Sequence, residues 1–385
     1  MTHWAIFTGE YPPQIGGVAD YTRLVANGLV AAGDSVTVYA PPVAGADSVD
    51  VGVLVRRLPD HFGRRGLATL DRELHTPVRP DRLMVQYVPY GYGWKGMNLP
   101  FCWWVYRQAR RGDRIDLVVH EAFVGFGRNP KYWVVALAQR IMAALLLRAA
   151  RRVWCAIPMW EQALQPLAPR GVRFHHLPVP SNVPVGPASE DGTPRAYAVG
   201  CFSSFGPQMA RPLVAVLEHL LPRITGSILL IGLRSKAVRE QFVAAHPEAA
   251  ERLVATGPVE ISTVPALLAS CEVMLQPVGG GISGRNTATL ACLRNSRPVV
   301  TTLGPLTEAF WAPSGAVALA PTGDSVAVAQ QVERVLGDVG LRQSLALKGR
   351  KLYDQIFDLK HTIAALKDAP QPGSIGLGRS RVYKA

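Results

Sequence analysis

HWAIFTGEYPPQIGGVADYTRLVANGLVAAGDSVTVYA, residues 3–40, decides the fold. His3 to Thr8 is an apolar run of strand length. Gly9 to Val18 is dense in turn formers, including Pro12-Pro13 and Gly16-Gly17. Val18, Tyr21, Leu24, Val25 and Leu29 then recur at helical spacing, and Gly33 can close that helix. Ser35 to Ala40 reads as a second strand. Strand, helix, strand starts a parallel doubly wound α/β sheet, and such sheets bind ligands beyond the carboxyl ends of their strands. Gly16 and Gly17 lie on that edge and let a ligand approach the backbone; a plain tight turn is the competing reading.

A chain of 385 residues is too long for one ordinary core and predicts two domains. With 48% hydrophobic and 18% charged residues it is globular. Five cysteines, 102, 155, 201, 271 and 292, form no CxxC pair, which fits a reducing cytoplasm and buried packing roles. The first residues lack the basic start and apolar core of a signal peptide. Net charge is +13, and Arg56 to Arg152 holds 18 Lys or Arg against 7 Asp or Glu. Such a surface suits nucleic acid, anionic membrane or a phosphorylated substrate. The sequence carries no nucleic-acid module, so no nucleic-acid partner is expected.

A second informative stretch is Gln276 to Thr287, QPVGGGISGRNT. Val273-Met274-Leu275 before it reads as a buried strand, and Thr287 to Leu293 after it as a helix. Free N–H groups and the helix dipole converge at such a loop and favour a phosphate. Gly280, Gly281, Ile282, Ser283, Gly284, Asn286 and Thr287 are the candidate contacts, and Arg285 can add a charge-assisted one. Tight packing alone is the rival account of the glycines. A P-loop is disfavoured, because Arg285 and Asn286 stand where Lys and Ser or Thr are needed. A dinucleotide fingerprint fits the spacing of Gly279, Gly281 and Gly284, but late in the chain and without the usual acid.

Other strand exits add candidates. Leu83 to Tyr87 is a buried strand leading into Tyr90, Tyr92, Trp94 and Lys95, a possible stacking platform for an acceptor, or else loop core. The rest of Leu54 to Arg114 reads as irregular, apart from a helix over Phe101 to Arg111. His120 and Glu121 end the strand Ile115–Val119. Trp133 to Arg152 predicts a core helix with a basic solvent stripe of Arg140, Arg148, Arg151 and Arg152; an interfacial helix on anionic lipid is the alternative. Leu177 to Pro194 is Pro-rich and gives the domain boundary. Beyond it Ser203, Arg234, Gly257 and Val259 stand in further exit loops. A long helix is expected from Leu341 to about Lys367, then a loose tail.

Pro12-Pro13, Gly16-Gly17-Val18, Tyr21 and Gly33-Asp34-Ser35-Val36-Thr37-Val38 together resemble the opening of family 4 glycosyltransferases of the GT-B fold. Ser296-Arg-Pro-Val-Val-Thr-Thr302 is similar to a later strand of that family. The resemblance implies two Rossmann-like doubly wound domains facing a central cleft. The first, residues 1–180, would take the acceptor. After a linker at 181–195, the second, 196–350, would take a nucleotide-sugar donor. A crossing helix at 351–368 and a tail at 369–385 would follow. It implies that His120 contacts the transferred sugar, that Glu121 is its neighbouring carboxylate, and that transfer retains anomeric configuration. Val254 to Val259 resembles the segment whose backbone reads the base. The family's paired Glu are replaced by Ser283 and Ala291, and its Arg and Lys near the first loop of the second domain by Cys201 and Gly206.

The expected activity is sugar transfer from a nucleoside diphosphate sugar to a glycan, glycolipid or small-molecule acceptor. With no Asp-x-Asp motif, no metal and no other cofactor is expected. The charge would fall on Arg285, the loop amides and the helix dipole. A sugar-nucleotide epimerase and a non-catalytic GT-B subunit are the alternatives. Peripheral contact with an anionic membrane is compatible with the cytoplasmic location.

Overall fold

The computed structural model describes residues 1–43, 50, 52–75, 79–127, 129–186 and 195–367. The tail expected at 369–385 and most of the linker lie outside them. The chain divides into two compact units, Met1–Pro178 with Thr362–Asp368, and Val179–His361.

The first unit carries β1 (His3–Thr8), β2 (Ser35–Ala40), β3 (Val53–Arg57), β4 (Arg82–Tyr87), β5 (Ile115–Val119), β6 (Ala150–Cys155) and β7 (Phe174–His176). They form one parallel sheet in the order β3-β2-β1-β4-β5-β6-β7. The second carries β8 (Tyr197–Phe202), β9 (Ile228–Ile231), β10 (Leu253–Ala255), β11 (Cys271–Gln276), β12 (Val299–Leu303) and β13 (Ala318–Pro321). These are also parallel, in the order β10-β9-β8-β11-β12-β13. Each sheet is an α/β doubly wound layer with buried strands and helices on its faces. Strand order reverses between β1 and β4, and again between β8 and β11. Those reversals open the crevices where such sheets take ligands.

The segment expected to be irregular contains β3 and a helix, Arg64–Leu74. Asp60 starts that helix by accepting from the N–H groups of Gly63, Arg65 and Gly66. The long C-terminal helix is also corrected. Val339–Leu352 runs into a wide turn, Tyr353–Phe357, and the chain restarts at Leu359–Lys367. Asp358 is extended and accepts from Lys360 N–H, so its side chain favours a new helix start over continuation.

That last helix closes the first unit. The Leu366 carbonyl accepts from Arg82 (2.6 Å) and Arg152 (2.9 Å). Lys367 pairs with Asp34 at 3.3 Å. Arg152 also forms a buried bidentate pair with Asp116 on the neighbouring strand. This ion pair is what Arg152 does, in place of the solvent-facing role expected of it.

Candidate functional site

In the second unit, the loops after β8 and β11 meet at the strand-order reversal. Gln276, at the end of β11, donates to the Phe202 carbonyl at 3.1 Å, and Gly279 N–H to the Gln208 carbonyl. The exits holding Ser203, Arg234, Gly257 and Val259 lie on the same carboxyl edge, since every strand is parallel. Ser203 braces its own loop through Phe205 N–H, and Gly257 sits at φ +76° with its N–H on Ser235. Arg234 is exposed and Val259 half-buried.

The triple glycine is explained by packing. A Cβ on Gly280 would stand 2.7 Å from Leu306, and one on Gly281, whose φ is +84°, 2.3 Å from Gly304 N. Most of the amides expected to hold phosphate are engaged inside the protein. Gly281 N–H goes to Val278, Ile282 to Thr302, Ser283 to the Asn286 side chain and Gly284 to Glu308. Ile282 is fully buried and presents no side chain. The expectation of a phosphate cradle over Gly279–Gly284 is therefore corrected.

What remains open is the next turn. The helix Thr287–Arg294 starts with no side-chain cap, because Asn286 turns its Oδ1 back to Ser283. Its own first turn carries no acidic residue. Thr289, in that turn, is buried with a hydroxyl that has no hydrogen-bond partner among the described residues. Such an orphan is costly unless a ligand or water answers it. Arg285 stands beside it in sequence, half-buried.

Sequence reading missed Glu308. It reaches the loop from beyond β12 and accepts from Gly284 N–H and the Trp311 indole, both at 2.9 Å. Burial pushes its carboxyl above the usual range, while these bonds and Arg285 pull it down. Only the fold brings it back, from 24 residues downstream of Gly284.

In the first unit the loops after β1 and β4 touch: a Cβ on Gly9 would stand 2.2 Å from the Gly91 oxygen. Here the helix Gly17–Ala31 already has an anion. Glu10 Oε1 accepts from Val18 and Ala19 N–H at 2.9 and 3.0 Å. A Cβ on Gly16 would meet that carboxylate at 2.3 Å, whereas Gly17 faces open space. Gly16 thus makes room for Glu10. Of these two candidate donor contacts, Gly16 is taken up by that packing, with Val18 and Ala19 N–H held by the carboxylate, while the space beside Gly17 is open.

His120 follows β5. Its Nε2 lies 2.8 Å from Oε1 of buried Gln86, and its ring packs edge-on to Tyr21 at 4.8 Å. Gln86 directs its amide nitrogen to Met84, so its oxygen faces the imidazole and Nε2 carries the proton. Burial lowers the His120 pKa to about 4, so the ring is neutral at pH 7. Glu121 is exposed.

The aromatic platform divides. Tyr92 is buried, stacked on Phe101, with its hydroxyl donating to the Phe7 and Gln86 carbonyls; it supports the loop from within. Tyr90 and Trp94 are exposed, and Lys95 Nζ lies 4.1 Å from the centre of the Trp94 ring. The helix Lys131–Ala149 shows the reverse of the expected basic stripe. Arg140 folds over Phe123 and Phe126, and Arg151 and Arg152 belong to β6. Arg148 alone of the four is exposed on this helix, whose other exposed positions among the described side chains are Tyr132, Trp133, Val134, Leu137 and Ile141.

No family model matches the chain, and no curated protein matches it. Solved structures do. Sucrose-phosphate synthase from Thermosynechococcus elongatus superposes with a TM-score of 0.73 at 15% identity, over 95% of this chain and 97% of that one. Anabaena HepE in complex with UDP gives 0.66 at 15%, over 95% and 98%. WaaG, a glycosyltransferase involved in lipopolysaccharide biosynthesis, gives 0.65 at 14%, over 94% and 99%. The chain has the two-domain GT-B fold. Identities this low establish the fold and leave the chemistry to the residues.

Proposed function

We propose that this protein transfers a sugar from a nucleoside diphosphate sugar to a glycan or lipid-linked acceptor. The carrying observation is the uncapped helix Thr287–Arg294 at the β8/β11 reversal, with the Thr289 hydroxyl unpartnered among the described residues and Arg285 two residues before the helix. The diphosphate would meet the N–H groups of Ala288 and Thr289, since that of Thr287 goes to the Arg285 carbonyl, together with the helix dipole and the guanidinium. Gly257 and Val259 would border the base, with Ser203 and Arg234 on the flanking loops. HepE was solved in complex with UDP, and a structure described as trehalose-6-phosphate from E. coli was solved with UDP-2-fluoro glucose, which favours a uridine donor here.

Charge developing on the leaving diphosphate would be stabilised by those preorganised donors, a contribution of ~2.7–4 kcal/mol per group in comparable sites. No step needs a metal, and anomeric retention is the expected outcome. His120, neutral and held by Gln86, would offer a sugar hydroxyl a hydrogen bond, not a charge. Glu121 is the nearby carboxylate, and Tyr90, Trp94 and Lys95 form the acceptor platform.

A non-catalytic GT-B subunit is the second reading, favoured by Ala291 and Ser283, both buried, where the family's carboxylates stand. Donor hydrolysis with UDP-, GDP- and ADP-sugars, beside Arg285→Ala, decides between them. Turnover with one donor, reduced at least tenfold in Arg285→Ala, supports the transferase. Tight UDP binding without turnover on any donor, with glycan and lipid extracts added, supports the subunit. A free epimerised sugar nucleotide would instead identify an epimerase.

A further inference from the structure

The outer side of the first unit carries an aromatic and apolar face whose composition does not match its exposure. On the helix Lys131–Ala149 the buried positions include Val135, Ala136, Met142, Ala143, Leu146 and Leu147, an ordinary core stripe. Soluble helices place polar residues opposite such a stripe. Here Trp133 (51% exposed), Leu137 (55%) and Ile141 occupy the opposite side, one turn apart. The adjoining helix Leu99–Arg110 packs along this one and exposes Trp103. The loop before it exposes Trp94 (72%). The exposed Phe126 lies edge-on to Trp133 at 6.2 Å, and Gln139 on the long helix reaches the Gly96 carbonyl beside Trp94. By topology the loop after β4 and the starts of both helices lie at the carboxyl edge of the sheet, with Leu137 and Ile141 following along the long helix.

Charge identifies the occupant. From Tyr90 to Ala149 the sequence has 9 Lys or Arg and 3 Asp or Glu, and one acid, Asp116, is buried in its pair with Arg152. Lys95, Arg107, Arg110 and Arg148 are all exposed around the apolar face. Tryptophan with a basic surround is the composition that settles at a lipid headgroup boundary. The helix Tyr132–Ala149 is long and apolar enough to cross a membrane by length and composition. Its other side is packed into the core, so spanning would dismantle the unit.

We propose that this face seats the first unit on an anionic bilayer, with the long helix lying in the headgroup plane. Tyr90 and Trp94 then stand at the lipid surface, so the acceptor is a lipid-borne headgroup; that second step rests on the transferase reading.

The test is sedimentation of the full chain with vesicles of phosphatidylcholine, alone or mixed with phosphatidylglycerol. Binding should require phosphatidylglycerol, weaken with salt, and fall about tenfold or more in Trp103→Ser/Trp133→Ser. Leu137→Gln/Ile141→Gln should act alike, and thermal melting controls for folding. Equal sedimentation of wild type and both variants overturns the proposal. So does a wild type that self-associates on this face without binding vesicles, or that pellets equally with the neutral ones. UDP-sugar hydrolysis in solution should be unchanged in both variants. Vesicle binding without donor hydrolysis would remove the transferase reading and leave the docking face standing.

Discussion

Glu308→Gln gives the sharpest test of how the second unit's loop is held. The carboxylate accepts from Gly284 N–H and from the Trp311 indole, each at 2.9 Å. Glutamine retains one acceptor oxygen, so one of those donors must face an amide nitrogen. A charge-assisted hydrogen bond contributes ~1.5–3 kcal/mol, and an orphaned buried donor costs ~1–3 kcal/mol. Part of this is returned, because burial already raises the Glu308 pKa and thus disfavours the ionised form. A net loss of about 2 kcal/mol remains, which for a unit of this size lowers its melting transition by roughly 4–8 °C. Calorimetry with and without UDP identifies that transition as the one the nucleotide raises. UDP affinity should fall at least tenfold, since Arg285 follows the released Gly284. An unshifted transition in Glu308→Gln would refute the reasoning. So would a shifted transition with undiminished UDP affinity, as far as the loop's role in binding is concerned.

His120 should make stability fall with acid. Its folded pKa of about 4 lies below the ordinary 6.5, so between those values the unfolded chain holds a proton that the folded chain does not. Stability is complete above pH 6.5 and declines as pH drops toward 4, by at most ~3 kcal/mol; urea midpoints across that range should show a flatter slope in His120→Gln. Glu10→Ala removes the carboxylate from Val18 and Ala19 N–H and should cost ~1 kcal/mol, read as a lowered unfolding midpoint; no change would mean water replaces it fully. Arg152→Met leaves buried Asp116 only the longer contact to Arg82 at 4.0 Å and should cost up to ~3–5 kcal/mol, whereas Arg152→Met with Asp116→Leu should recover part of that, by thermal melting of both.

The βαβ opening was legible because its signals are local: an apolar run, turn formers and helical spacing all lie within residues 3–40. The site was legible to the level of the strand exit. Sequence order could place Arg285 and Thr287 at a helix start, but could not show which amides the protein itself consumes. That depends on Thr302, Asn286 and Glu308, the first and last of which come from beyond the next helix. Glu10 was invisible for a related reason. A carboxylate in a loop has no periodic mark, and only the folded loop returns it to the helix that follows. Tyr92 and Trp94 show the same limit at closest range. They are two residues apart, yet one is stacked in the core and the other stands in solvent.

The Leu366 carbonyl joins the chain's two ends in time as well as in space. Arg82 and Arg152 sit in the first half of the sequence, but the acceptor they share is made near the end of the described chain. Domains generally fold in the order they are synthesised. Here the first unit leaves the ribosome without the Leu366 carbonyl that Arg82 and Arg152 share and with Asp34 lacking its lysine. Its final bonds form only after the entire second unit has been made. A fragment ending at Pro178 would carry the complete sheet and still stop short of the native state. The last helix therefore supplies its contacts to the first unit only once translation has passed through the second.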